Sequence, residues 1–227
     1  MMRTVSAAIL VAGLSMGATA IPATAHAANV CSDFGGAVEQ DGLCRLRQEK
    51  PDYTLAMSFP VDFPDQGAVD GFVSQTRTGF LNETKTPNFA NVPYALEMQS
   101  MLWASDTTRS VSFEVYENLG GAHPSTWYRT FNYDVPGARA ITFGDLFAPG
   151  VNPMGAIFGV VQKTLEAETG IPTPVSDDAG LDPSHYRNFA ITQKDLVFFF
   201  DRGELMAGAA GAHTVYVPRD AIPPLAV

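Results

Sequence analysis

The sequence predicts an α+β fold, with antiparallel sheets and two helices packed on them. Three features carry that reading. Runs that alternate apolar and polar residues, the period of half-buried strands, flank two stretches whose apolar residues recur at helical spacing. Prolines and glycines punctuate the junctions. The resulting order is strand, helix, three strands, helix, three strands, which suits helices laid on antiparallel sheet.

In chain order, the first strand is Tyr53, Leu55, Met57 and Phe59 alternating with Thr54, Ala56 and Ser58, and Pro60 stops it. Pro64-Asp65 opens a helix with Ala68, Val69, Phe72, Val73, Thr76 and Phe80 on one face. Gly67, Gly71 and Gly79 lower its intrinsic propensity, so packing must hold it. Residues 82–92 read as a loop. Tyr94/Leu96/Met98, Val111/Phe113/Val115 and Trp127/Phe131/Tyr133/Val135 then alternate with polar neighbours as consecutive antiparallel strands. The connection 118–125 holds Gly120, Gly121 and Pro124 and is a wide turn.

Asn152 and Pro153 supply N-cap and N1 residues for a second helix, Met154, Ile157, Phe158, Val161 and Leu165 form its apolar stripe, and Gly170 ends it. Residues 171–186 hold three prolines and three aspartates and read as a long surface loop, the kind that carries binding residues. Asp177, Asp178, Asp182, His185 and Tyr186 are its candidate contacts. A hairpin follows at 189–191 and 196–200, its second strand apolar throughout and therefore central. Val215 and Val217 make a last strand before Pro218.

The N-terminus reads as an export leader: Arg3 gives a basic start, residues 7–17 an apolar core, and Ala25-His26-Ala27 a small-residue cleavage site. The mature chain is expected to run from Ala28 to Val227 outside the cell. The apolar core is shorter than the roughly 20 residues that span a bilayer, and no later segment reaches that length without charges or turn residues. Cys31 and Cys44 are the only cysteines, and an oxidising compartment would pair them. Closing that loop would stabilise by roughly 3 kcal/mol on the chain-entropy model. A formal net charge of −10 argues against nucleic acid and anionic membrane as partners and favours a soluble monomer.

Candidate chemistry is sparse. His123 lies in the glycine-rich turn with Gly120 and Gly121, where an exposed imidazole can act as base or ligand, but the favoured expectation is that it satisfies backbone carbonyls of the turn. A zinc site would need His123, His185 and His213 to converge with Asp182 or Glu204, and none has ligand-pair spacing. For a secreted esterase-like hydrolase, the alternative function, there is no GxSxG elbow; Asp182, Ser184 and His185 resemble a triad in print, as Ser125 beside His123 resembles a dyad, yet loop neighbours point apart. No phosphate loop or dinucleotide fingerprint occurs, so no cofactor is expected. Binding is the favoured function, through the 171–186 loop and a solvent-facing side of the 111–135 strands that carries Tyr116, Tyr128 and Thr130.

Several segments carry a family resemblance: Cys31 with Cys44, Phe63-Pro64-Asp65-Gln66, Tyr116-Glu117-Asn118 before Gly120-Gly121-Ala122-His123-Pro124, and Ala179-Gly180-Leu181-Asp182-Pro183. Tyr186-Arg187-Asn188-Phe189-Ala190, Val197-Phe198-Phe199-Phe200, Gly203-Glu204-Leu205, Ala209-Ala210-Gly211 and Val217-Pro218-Arg219 continue it. In these the chain resembles the secreted mycobacterial immunogenic antigen family (64-type), an actinobacterial family sharing its C-terminal domain of unknown function with lysozyme-sensing RsiV-type anti-sigma factors. The resemblance implies an N-terminal lobe over 28–105 and an RsiV-like, β-grasp-like C-terminal lobe over 106–227. It implies a secreted, immunogenic protein recognised by host immunity in pathogenic members, and it supplies no established catalytic activity; the expected partner is an unknown host or cell-surface protein, with lysozyme, the partner of the anti-sigma relatives, as one candidate.

Overall fold

The computed structural model describes residues 29–86 and 93–227. The expected leader and residues 87–92 of the expected loop lie outside the described residues. Seven strands form one sheet in sequence order: β1 (Ala37–Val38), β2 (Leu43–Glu49), β3 (Tyr53–Pro60), β4 (Tyr94–Ala104), β5 (Thr108–Asn118), β6 (Ser125–Asp134) and β7 (Arg139–Ala140). A second sheet, ordered β10-β9-β8, contains β8 (Phe189–Ile191), β9 (Asp195–Phe200) and β10 (His213–Pro218). Helix α1 (Gln66–Glu83) packs on the large sheet and α2 (Met154–Thr169) on the small one.

The α+β reading holds, with one exception to antiparallel pairing. β3 and β4 run parallel, because α1 carries the chain back to the starting end of the sheet. Short β1 and β7 and polar β2 were not foreseen, since two-residue strands carry no period and Arg45, Arg47 and Gln48 dilute the one in β2. The expected lobe boundary at 105/106 falls in the turn between β4 and β5, which pair along eleven-residue strands of one sheet.

α1 lays Val69, Val73 and Phe80 on Leu55, Met57, Leu96, Met98, Val111 and Phe113. Phe72 adds ring contacts to Phe113, Trp127 and Phe131 at centroid distances of 5.1, 5.8 and 5.8 Å. The helix has no side-chain N-cap. Gln66 anchors its first turn instead: Nε2 donates to the Pro60 carbonyl and to Asp70 Oδ1, and Oε1 accepts from the Phe63 amide, all within buried surroundings. Cys31 and Cys44 form a disulfide buried in the same core, and Gly36 lies so close to it that a Cβ would sit 2.9 Å from Cys44 Sγ.

α2 spans the predicted stripe, Met154, Ile157, Phe158, Val161 and Leu165, all buried, and Gly170 ends it in the left-handed conformation. Pro153 is the N-cap rather than N1, while Asn152 Oδ1 still accepts the Met154 amide. α2 faces Leu196, Phe198 and Phe200 of β9 and Val215 and Val217 of β10. The opposite face of β9, Val197 and Phe199, packs with Ala190 against Tyr128 of the large sheet. The molecule is therefore layered helix, sheet, sheet, helix, and the apolar run in β9 reflects burial on both sides. No described helix is long and apolar enough to cross a membrane.

The two sheets meet at an edge strand. The Phe189 and Ile191 amides of β8 donate to Thr130 Oγ1 and Ser110 Oγ, at 3.1 and 3.2 Å, and Asn132 Nδ2 donates to the Phe189 carbonyl at 2.8 Å. Ser110 and Asn132 are directly paired across β5 and β6, so short polar side chains on the large sheet cover main-chain groups that would otherwise be buried and unpaired. Replacing Ser110, 1% exposed, with alanine leaves the Ile191 amide without a partner. Urea unfolding of Ser110→Ala is expected to show a loss of about 1–3 kcal/mol; an unchanged midpoint would contradict this role.

Candidate functional site

Where the sheets diverge, the overhanging edge of β10 and the middle of β4 bound a cleft of about 230 Å³. Its walls are aromatic. The Trp103 ring stands 5.8 Å from Phe199 and 6.3 Å from Tyr216, and the Tyr128 ring stands 5.3 Å from Phe199. Trp103 is fixed by its indole N–H, which donates to Ser112 Oγ at 2.9 Å. The Tyr128 hydroxyl donates to Glu114 Oε2 at 3.3 Å. Burial first, with the neighbouring Glu114 and Asp201 carboxylates adding, pushes the Tyr128 phenol up to about 12, so it stays a donor at neutral pH. At the mouth, Met101 is 57% and Tyr216 51% exposed. Trp103 also lines a neighbouring cleft of about 420 Å³ on the far side, with Phe63, Pro64 and the exposed Leu102.

This places Tyr128 and Thr130 differently from the sequence expectation. Neither faces open solvent: Tyr128 is buried against Phe199, and Thr130 holds the edge of β8, because the small sheet covers their side of β6. Tyr116, farther along β5, stays half-buried. Trp103, Glu114 and Tyr216 were missed. Met101-Leu102-Trp103, three apolar residues in a row, breaks the alternation of β4 and was the available signal.

The 171–186 segment is packed rather than loose. Ser176 caps helix α3 (Asp177–Gly180), and Asp182 caps a 3-10 turn over Pro183–Tyr186. Gln162 of α2 clamps both the amide and the carbonyl of Val175. Tyr186, expected as a surface contact, is fully buried, its hydroxyl donating to the Gly180 carbonyl and its ring 5.0 Å from Phe198. The segment closes over α2 because Gly180 has no side chain: a Cβ there would overlap the Phe158 ring. Asp177, Asp178 and Asp182 remain exposed.

Asp182, Ser184 and His185 do not form a relay. Asp182 Oδ1 accepts the Ser184 amide at 2.8 Å, and that bond holds the Asp182 carboxyl below its ordinary value. His185 turns instead to Glu204, Nδ1 to Oε1 at 3.5 Å, with Arg187 3.8 Å from the same oxygen. Glu204 Oε2 accepts the Asp201 amide, and Asp201 Oδ1 accepts the Tyr128 amide. With a side chain only 7% exposed, Glu204 is raised by burial despite its hydrogen bond from His185 and the nearby charge of Arg187, and burial raises Asp201 likewise. The arrangement is an imidazole oriented by a carboxylate, with no hydroxyl bonded to the ring among the described residues.

The other described histidines stand elsewhere. His213 Nδ1 lies 3.4 Å from Glu168, and no group of three or more His, Cys, Asp or Glu side chains suited to a metal occurs among the described residues. His123 is exposed and makes no hydrogen bond among them. It therefore satisfies no backbone carbonyl of the turn, contrary to the sequence expectation; Arg202 donates to the Pro124 carbonyl at 3.0 Å. Gly120 adopts a positive φ of 73°, and its amide donates to Asn118 Oδ1.

A family model described as a protein of unknown function (DUF3298) matches residues 144–220. The chain is 41% identical to Esterase Rv3036c of Mycobacterium tuberculosis, over 98% of both chains. It is 35% identical to Immunogenic protein MPT64 of the same organism, over 88% of this chain and 89% of that one. Peptidoglycan-N-acetylmuramic acid deacetylase PdaC of Bacillus subtilis is 25% identical over 65% of this chain and 31% of its own length. A crystal structure of a DUF3298 family protein from Pseudomonas aeruginosa shares the fold at a TM-score of 0.54 and 16% identity, covering 80% of this chain and 94% of that one.

Because burial raises the Glu204 carboxyl, the folded protein holds its proton more tightly than the unfolded chain does. The stability this adds is complete below the unfolded value of 4.5 and is lost as pH rises through the folded one. Glu204→Gln is therefore expected to gain on the parent protein between pH 4 and pH 7 in paired urea titrations. A stability gap that stays constant, or moves the other way, would refute it.

Proposed function

The chain belongs to the family of Esterase Rv3036c and Immunogenic protein MPT64 of Mycobacterium tuberculosis, and from that premise we propose that it is an exported protein that acts by binding another protein through the mouth of the Trp103 cleft. The observation that carries this is the exposure of Met101 and Tyr216 beside a rigid, aromatic, partly polar cavity. Large side chains that remain in water next to a preformed pocket fit the anchor-and-pocket pattern of binding hot spots. Trp103 is already immobilised by Ser112 and Tyr128 by Glu114, so little side-chain entropy is left to lose on contact. Export suits the buried disulfide, which needs an oxidising compartment to persist.

A second reading is ester hydrolysis, favoured by the 41%-identical relative named an esterase and by the His185–Glu204 pair. Glu204 would fix the imidazole through Nδ1 and leave Nε2 to take a proton from water or a substrate-bound hydroxyl.

The binding reading is tested by passing host-cell surface proteins, with lysozyme as a defined probe, over the immobilised protein. Met101→Glu and Tyr216→Ser, both at exposed positions, are expected to release a saturable partner while leaving the melting temperature unchanged. Undiminished retention by both variants would remove the cleft from the interaction. For the hydrolytic reading, His185→Ala is expected to lower kcat on p-nitrophenyl butyrate by about 100-fold or more; turnover equal to the parent's would exclude this histidine.

A further inference from the structure

β10 presents a free strand edge to the same cleft. The Phe189 and Ile191 amides of β8 bond Thr130 and Ser110, so these residues turn their main-chain groups away from β9. In an antiparallel ladder, opposed residues turn their main-chain groups either both toward or both away from each other, and the direction alternates along the strand. Phe198 and Leu196, opposite Phe189 and Ile191, therefore direct theirs toward β10, where Val215 and Val217 receive them. It follows that Thr214 and Tyr216 point their amides and carbonyls outward. No described residue bonds those groups.

Exposed edges are ordinarily blunted by lysine, proline, a bulge or a covering segment. The large sheet ends in two-residue strands on both sides. β10, by contrast, is regular from His213 to Val217, and only its last residue is proline. Its side chains divide by face. Val215 and Val217 are buried toward α2, whereas Thr214 and Tyr216 line the cleft. A segment laid along this edge would satisfy the outward main-chain groups and drop alternate side chains toward Met101, Trp103 and Glu114.

The cleft sets the charge of what enters. Glu114 is its one ionisable carboxylate, pairs with no lysine or arginine among the described residues, is exposed at the cleft, and shares the lining with Trp103, Tyr216 and Tyr128, whose hydroxyl donates to it. Aromatic faces around a carboxylate attract a cation, and the net charge of −10 draws basic partners from a distance. We propose that β10 accepts an extended segment of a partner protein as a fourth strand of the small sheet, with a lysine or arginine of that segment entering the cleft to meet Glu114. This rests on the binding reading above and narrows it to a strand-forming, basic partner segment. A glycan would stack on the rings but leave the strand-spaced donors and acceptors of Thr214 and Tyr216 unused.

The test uses the purified ¹⁵N-labelled protein and a capped hexapeptide alternating threonine and lysine. The comparison probes are its threonine–glutamate counterpart and two lysine peptides N-methylated in one or the other alternating frame. The threonine–lysine peptide is expected to shift the Thr214 and Tyr216 amide signals and the Trp103 indole signal. Binding should weaken at least tenfold for the glutamate peptide, for one N-methylation frame only, and for Glu114→Gln. Equal binding of the glutamate peptide, indifference to N-methylation in both frames, or no binding would overturn the proposal. Concentration-dependent shifts at Thr214 and Tyr216 without peptide would overturn it too, since a second copy of the chain would then occupy the edge. If no peptide binds but a captured partner still depends on Met101 and Tyr216, the edge-strand inference fails and the binding reading stands; if that dependence is also absent, both fail.

Discussion

The seating of β8 on the polar face of β5 and β6 is the contact on which the rest of the molecule depends. A three-residue edge strand is buried only if its outward main-chain groups find partners, and Ser110, Thr130 and Asn132 provide them at 2.8–3.2 Å. Those three residues break no strand pattern, since they occupy the alternate positions of β5 and β6 that would otherwise face solvent. Hydrogen bonding there, rather than apolar matching, sets how the small sheet lies on the large one. Once it is seated, Val197 and Phe199 are covered, Tyr128 is confined against Phe199, and the remaining gap between β10 and β4 becomes the cleft.

Much of the fold was legible because its strongest elements bury one face each. The alternation in β3 to β6, the stripe of α2 and the apolar run of β9 follow directly from layers with a defined inside. The layer between the sheets was not legible. Serine, threonine and asparagine at solvent-face positions look the same whether they meet water or the edge of another sheet, so nothing in the pattern of β6 distinguishes a covered Tyr128 or Thr130 from an exposed one. The parallel pairing of β3 with β4 escaped for a related reason, because one-face-buried alternation is the same for parallel and antiparallel neighbours. Within the candidate site, His185 and Glu204 were both visible as residues, but only the turn around Asp201 brings them within 3.5 Å.

The segments that carry the resemblance to the antigen family fall mostly on places where the chain must turn or lock. Gln66 stitches the end of β3 to α1, Asn118 supports the Gly120 turn, and Gly180 admits the Phe158 ring. Tyr186 ties the closed 171–186 segment to the small-sheet core, and Arg219 returns to the Thr192 carbonyl beneath the β8–β9 turn. Arg202 spans the two sheets: its amide donates to the Thr126 carbonyl and its guanidinium to those of Pro124 and Gly208. The glycine-rich signature is thus clamped at its proline, while His123 stays in solvent. Resemblance at such positions follows architecture, and it leaves the chemistry of the cleft free to differ among relatives.

The stretch matched by the family model, 144–220, contains α2 and all three strands of the small sheet but neither β5 nor β6. Its boundaries therefore do not enclose a self-sufficient unit. A fragment cut there would keep its helix-side core yet expose Val197 and Phe199 to water and leave the Phe189 and Ile191 amides without acceptors, a sticky strand beside a sticky face. In this chain, then, what holds together as one unit is the pair of sheets, joined through β8 on the polar face of β5 and β6.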